Sequence, residues 1–383
     1  MSKDFYNTRY GQMFLIKNDR IISEAVRNYG EWAQHEVNFF AGLITPGDHI
    51  YDVGANIGTH TLAFASLTGP TGLVTAFEPR PEFFSILEKN TGINQLHNVH
   101  LEPCALGEVA GSMNVDIIDL SSFENFGGLA INSNHSPTSN QIQIKTIDQI
   151  APRRLDILKI DAEGMESAII RGAVDTILRI QPIIIAECNS IDGALPVLEF
   201  AYKNKFLAWG ICSPAYNPNN FYQNNTHNMF GDSVELSLLI IPQSRMHVMS
   251  EPVLAKTTGR IKNADELALF LLQKPQYPYE VLGQTDLGKE IGTNYPSPFA
   301  NNKAEALSQS NIRHEEINRK CDELKDRKDK IQREYSTLIE LYNRKSEELK
   351  AREDEIQRMQ NSISWRMTAP FRGIRRILER FRH

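Results

Sequence analysis

The chain has 383 residues, 41% of them hydrophobic and 23% charged, with a formal net charge of −6. That balance is ordinary for a soluble protein, gives no case for nucleic-acid binding, and at this length leaves room for a globular domain plus something else. Cys104, Cys188, Cys212 and Cys321 make no C-x-x-C pair or disulfide framework, and neither a signal segment nor a membrane-spanning run stands out, so a reducing, cytoplasmic setting is expected.

After Gly30-Glu31-Trp32, residues 36–44 carry helical periodicity, and the first 48 residues are expected to cover the site as a lid. Between 49 and 188 short apolar runs alternate with helical stretches, the pattern of βαβ units on a parallel sheet. The fold class is therefore α/β, with strands expected at 49–53, 73–77, 99–101, 156–160 and 183–187. Residues 141–145 alternate in polarity and suit an edge or inserted strand. Two further strands, at 206–211 and 234–241, should complete the sheet around a polar loop and close a domain over 1–242. Residues 243–300, with recurring Pro and Gly and one helical patch at 264–272, are expected to form a small appended element or linker.

From 301 to 364 the character changes to a heptad pattern. With His314, Cys321, Lys328, Tyr335, Tyr342, Leu349, Ile356 and Ile363 at a, the d positions hold Ile317, Leu324, Ile331, Leu338, Lys345, Arg352 and Met359. Such spacing keeps one seam facing a partner helix, so a coiled-coil homo-oligomer, dimer or trimer, is expected. The final stretch, 365–383, holds Arg366, Arg372, Arg375, Arg376, Arg380 and Arg382 against the single acid Glu379. Past Pro370, the residues Phe371, Ile374, Leu378 and Phe381 fall on one helical face. That amphipathic, arginine-rich helix suits an anionic membrane surface or an acidic partner protein, and would make the protein peripheral on the inner face of the cytoplasmic membrane.

The most informative run is Tyr51-Asp52-Val53-Gly54-Ala55-Asn56-Ile57-Gly58-Thr59-His60-Thr61. It reads as a strand, a tight glycine turn where a ligand can approach backbone without a Cβ in the way, and a helix whose first N–H groups can meet an anion. Strand 73–77 then ends in Glu78-Pro79, an acid placed to accept both hydroxyls of a ribose. The middle glycine of a G-x-G-x-x-G dinucleotide fingerprint is missing, as is the Gly-Lys-Ser/Thr of a P-loop. Asp52, just before the turn, would repel phosphates and suits a cationic ligand. These features point to S-adenosylmethionine, held by Asp52, Gly54, Ala55, Asn56, Gly58, Thr59, Glu78 and Asp161.

Ligands of a doubly wound sheet bind beyond the carboxyl ends of its strands. Asp161 and Glu163 follow the strand at 156–160, and Glu187 ends the strand at 183–187. Lys159, on the same side of its strand as Asp161, needs a charged partner, because burying it alone is costly. Lys159, Asp161, Glu163 and Glu187 are thus the candidate catalytic cluster, with Glu163, Glu187 or Lys159 as the base that takes a proton from an attacking hydroxyl. The less favoured alternative is a carboxylate-held Mg²⁺; no ligand spacing marks a metal site. For Glu163 and Glu166 the plainer role is macrodipole compensation in a helix first turn. Amide- and aromatic-rich loops around Asn125, Asn217 and Asn220 are candidates for the acceptor face, and His60 is expected to face the cofactor turn or to pack.

The segments YDVGANIGTHT, AFEPRPEFFSILEKN, CALGE, LDILKIDAEGMESAIIRGA and PIIIAECN resemble, in order and spacing, the FkbM-type methyltransferases over roughly residues 1–242. The resemblance implies a class I, S-adenosylmethionine-dependent O-methyltransferase on a seven-stranded Rossmann-like sheet. The segment SISWRMTAPFR is similar to endings of bacterial polysaccharide-biosynthesis proteins, which implies a sugar hydroxyl of a cell-surface polysaccharide or its precursor as acceptor. Two rival readings are a catalytically idle coiled-coil scaffold of a glycan-assembly complex and, less favoured by the glycine pattern, an NAD-dependent oxidoreductase.

Overall fold

In the computed structural model the described residues are 5–120, 139–275, 344–345, 350–355 and 357–358. The chain divides into two compact units, Met1–Phe299 and Ala300–His383. In the second, the described residues are helical and exposed. Most of the expected coiled coil and all of the arginine-rich ending lie outside the described residues, as does Asn125.

The first unit opens with a hairpin, β1 (Tyr6–Thr8) and β2 (Gly11–Met13), and two helices, α1 (Ile22–Tyr29) and α2 (Gln34–Phe40). The hairpin was not legible from periodicity, since each strand has only three residues. The alternating region follows: β3 (His49–Val53), α3 (Thr59–Thr68), β4 (Leu73–Phe77), α4 (Pro81–Ile93) and β5 (Val99–Glu102). An insertion comes next, with β6 (Cys104–Leu106), β7 (Gly111–Asp116) and β8 (Ser139–Lys145) forming a separate three-stranded sheet in the order β6-β8-β7. The stretch expected as an edge or inserted strand is therefore an inserted one. After α5 (Ile147–Ile150), the chain returns to the main sheet as β9 (Ile157–Ile160), α6 (Glu166–Arg171), α7 (Val174–Ile180), β10 (Ile183–Glu187), α8 (Ile191–Lys203), β11 (Phe206–Pro214) and β12 (Val234–Pro242). It ends in α9 (Glu251–Leu254), β13 (Thr257–Arg260) and α10 (Ala264–Leu271).

The main sheet runs β13-β11-β12-β10-β9-β3-β4-β5. Strands β5, β4, β3, β9 and β10 run parallel to one another, whereas β12, β11 and β13 join antiparallel. The class expected from sequence is thus present, with eight strands rather than seven. The extra one, β13, is short and polar, so it carries no apolar run by which it could be read.

Both faces of the sheet are covered, which is why β9 and β10 read as nearly continuous apolar runs rather than alternating ones. One core gathers Leu158, Ile160, Ile184, Leu198 and Phe270, and the other gathers Phe40, Phe64, Ile157, Ile185 and Leu239. Phe40 and Phe64 meet edge to face with ring centroids 4.6 Å apart, fixing α2 against α3. From β3 the chain builds outward through β4 to β5, then crosses back to build β9 and β10 on the other side. The order reverses between β3 and β9, and that switch point is where a doubly wound sheet opens a crevice for ligands.

Candidate active site

Two clefts meet at the switch point, sharing Ile22, Asp161 and Glu163 in their walls. The first is formed by the turn after β3 and the end of β4. Gly54 takes a positive φ of 79° there, and a Cβ at this position would collide with the backbone carbonyl of Asp161. Only glycine lets the turns after β3 and β9 approach so closely. Glu78, buried at the end of β4, accepts the Asn56 N–H on Oε2 and the Arg80 N–H on Oε1, each at 2.9 Å. Burial pushes its carboxyl up to about 7, against the pull of those two amides and the Arg80 cation.

A carboxylate has about four lone-pair sites, so after these two bonds each Glu78 oxygen can still accept a hydroxyl. Phe77, Phe83 and Leu106 make the cleft apolar beside this polar end. A flat apolar wall next to a diol acceptor is the donor set that an adenosine cofactor needs, so these residues fit the group. Of the residues expected to hold it, Gly54, Asn56, Glu78 and Asp161 line this cleft.

Asp52, Ala55, Gly58 and Thr59 line neither cleft. Ala55 packs with Ala76 and Leu87, and a Cβ on Gly58 would press on Leu87. Asp52 is fully buried, with its Oδ2 accepting the Thr61 hydroxyl at 2.6 Å and its Oδ1 3.1 Å from Lys159 Nζ. Rather than facing a cationic ligand, it braces the turn from below.

The second cleft is polar. Lys159, 2% exposed, lies directly across the β3–β9 pairing from Asp52, and its Nζ is also 3.2 Å from Asp161 Oδ2. Burial alone would lower its pKa, but the Asp161 and Asp52 carboxylates prevail and raise it. Lys159 therefore remains a cation at neutral pH and is a poor candidate for the base. For Asp161, burial pulls upward, but Lys159 and His60 hold the carboxyl below its ordinary range.

Glu163 and Glu187 behave oppositely. Glu163 sits at φ 47° in the turn after β9. Burial, with the Asp161, Glu166 and Glu235 charges behind it, pushes its carboxyl up to about 8. Burial and the Asp161 and Glu163 charges raise Glu187 well above the usual carboxylate range, and its buried Oε2 has no hydrogen-bond partner. Oxygens of Asp161, Glu163 and Glu187 lie within 4.8 Å of one another, close enough to share protons or to hold a divalent cation. Glu166 instead turns inward, where its Oε1 accepts the Ala162 and Gly164 N–H groups ahead of α6.

Trp32, Glu36, His60, Asn189, Ser237, Glu235 and Lys274 complete this cleft. His60 Nε2 is 3.1 Å from Glu36 Oε2. Ser237 pairs with Glu187 across β10 and β12, and Glu235 shares its side of β12 by the two-residue period. That relation was available from the expected strands, had their adjacency been known. Lys274 gave no such signal.

Asn217 and Asn220 line neither cleft. Asn217 Nδ2 donates to Glu31 Oε1 at 2.6 Å. Asn220 donates to the Asn217 and Asn224 carbonyls, while its Oδ1 accepts the Asn224 N–H. The Asn217 amide clasps the 216–230 loop to the N-terminal segment and the Asn220 amide closes the loop on itself, so both are already engaged.

A profile of the "Methyltransferase FkbM domain" matches residues 52–205. The chain is 30% identical over 182 residues to the 31-O-demethyl-FK506 methyltransferase FkbM of Streptomyces tacrolimicus, covering 40% of this chain and 69% of that one. It is 28% identical over 152 residues to the hexuronic acid methyltransferase AglP of Haloferax volcanii, covering 38% of this chain and 58% of that one. The crystal structure of methyltransferase FkbM from Methylobacillus flagellatus KT is also similar, at 15% identity and a TM-score of 0.33, over 50% of this chain and 43% of that one. On the strength of the Streptomyces relative and the matching domain, with a glycine turn and acidic strand end where the segment resemblance put them, this chain belongs to the FkbM family of methyltransferases.

Proposed function

We propose that the protein transfers a methyl group from S-adenosylmethionine to a hydroxyl, that of a sugar in a bacterial cell-surface polysaccharide or its precursor. The observation that carries this reading is the junction of the clefts. Asp161 and Glu163 belong to both walls, so a donor seated against Glu78 and an acceptor seated against Glu187 would meet beside carboxylates. When bound, S-adenosylmethionine supplies an electrophilic methyl group. The chain's own task is to orient the acceptor oxygen and to take its proton as it attacks.

Glu163 and Glu187 are the groups suited to that proton, since burial among carboxylates raises both above the ordinary carboxylate range and so makes them stronger bases. Lys159 is the positioning cation that holds Asp161 in place between the clefts. A sugar acceptor is supported by the polar lining of the second cleft, by the relative named as acting on hexuronic acid and by the resemblance of the C-terminal segment. The coiled-coil and membrane-surface readings of 301–383 rest on their sequence patterns. Among the described residues no helix is long and apolar enough to cross a membrane.

Calorimetry tests the donor: S-adenosylmethionine should bind and NAD should not, and binding of neither would favour the scaffold. Mass spectrometry of the surface glycan from a deletion strain tests the acceptor, which should lose one methyl ether. An unchanged glycan sinks the sugar assignment. Activity lost to a chelator and restored by Mg²⁺ would give the three clustered carboxylates a metal instead of a proton.

A further inference from the structure

The matched family domain stops at residue 205, yet the second cleft takes Glu235, Ser237 and Lys274 from beyond it. Lys274 is 4% exposed. Its Nζ donates to Asn189 Oδ1 at 2.7 Å and lies 3.5 Å from Glu235 Oε2. Asn189 follows the end of β10 two residues after Glu187, and Glu235 belongs to β12, which pairs with β10. One ammonium therefore ties together the two strand ends that form this wall.

The placement of Lys274 is built in. In α10, Leu267, Phe270 and Leu271 are buried in the larger core. Gly210 of β11 lets this helix approach, because a Cβ there would collide with Phe270. The hydroxyl of Tyr202 donates to the Ile261 carbonyl at 2.8 Å, holding the segment between β13 and α10. Asn263 caps the helix by accepting the Glu266 N–H. A lysine is costly to bury unless its charge is answered, and here it enters a cleft whose acids, among the described residues, are Glu36, Asp161, Glu163, Glu187 and Glu235, with Lys159 as the other lysine.

We propose that Lys274 is a positioning residue of the methyl-transfer site: through Asn189 and Glu235 it fixes the wall that carries Glu187, so that the acceptor cleft is completed by an element outside the family domain. The inference rests on reading the second cleft as the acceptor's. Its test uses the full-length protein, radiolabelled S-adenosylmethionine, and an extract of a deletion strain, in which the unmethylated acceptor accumulates whatever its class.

Lys274→Met should lower the maximal transfer rate about ten- to a hundredfold, the scale of a small misplacement of reacting groups. Cofactor affinity and melting temperature should stay close to the parent's. Lys274→Arg, which keeps the charge, should recover part of the rate. Glu235→Gln, which removes the partner and leaves the lysine, should lower the rate in the same direction and covers the case of a poorly folding Met variant. A folded Lys274→Met protein with the parent's rate and acceptor dependence, measured while Glu187→Gln is impaired, overturns the proposal. Normal rates in both Lys274→Met and Glu187→Gln instead remove the acceptor assignment of the cleft and the inference with it.

Discussion

The two clefts are built by different rules. The donor cleft is framed by backbone turns, with Gly54 and Asn56 after β3, Glu78 after β4 and Asp161 after β9, where local backbone chemistry favours the residues. The acceptor cleft draws on α2, α3, the ends of β9, β10 and β12, and a lysine past α10. Nothing in the local sequence of any of these demands the others. They meet because the strand order brings them together beyond the ends of neighbouring central strands. A site set by turn geometry can be read turn by turn in the sequence, whereas one set by topology cannot.

The sharpest way to break this division is to remove the proposed proton acceptor. Glu187→Gln should lower turnover by roughly two to four orders of magnitude while cofactor affinity stays within about twofold. A loss of both together would mean that the clefts are one site. Next in size is Lys159→Met, which leaves the fully buried Asp52 without its cation. Breaking such a pair costs roughly 3–5 kcal/mol, so the variant should unfold at markedly lower denaturant. An unchanged midpoint would show that the Asp52–Lys159 pair contributes nothing to stability.

Glu78→Ala acts on the donor side alone. Loss of charged hydrogen-bond acceptors should weaken S-adenosylmethionine binding by about 1.5–3 kcal/mol, read by calorimetry, with the acceptor cleft intact. Smaller still is Asn217→Ala. Because its amide clasps Glu31, we expect a stability loss of about 1 kcal/mol and an unaltered acceptor dependence; a changed acceptor dependence would return this loop to the site.

A pH series sharpens the contrast further. Glu163 is raised from 4.5 to about 8, so between those values the folded protein binds more protons than the unfolded chain. Stability contributed by the neutral carboxyl should therefore be present below about pH 4.5 and lost as pH rises through about 8. Glu163→Gln should flatten that decline. A stability curve identical to the parent's would place Glu163 in water.

Much of the donor side was legible. The Gly54 turn, the acid at 78 and the parallel strands follow from spacing alone. The need of Lys159 for a charged partner was also legible, although the identity of Asp52 as that partner depended on register. Asp52 itself was misread as facing the ligand, because its position before the turn does not reveal which way the strand presents it. Asn217 and Asn220 were read as acceptor contacts from composition, and composition cannot distinguish an amide offered to a ligand from one closing its own loop. Lys274 lay in a stretch with neither period nor motif, so only three-dimensional placement reveals it.

The close approach at Gly54 has a further consequence for how such an enzyme can change. The turns after β3 and β9 approach so closely that a side chain at Gly54 would strike the Asp161 carbonyl, and their backbones fix each other's place beside the donor. The residues from 206 to 275 meet a close approach of their own only against side chains, at Gly210, and they furnish the far wall of the proposed acceptor cleft. On the proposed reading, a change of acceptor calls for changes in residues 206–275 and leaves the donor's turns as they are.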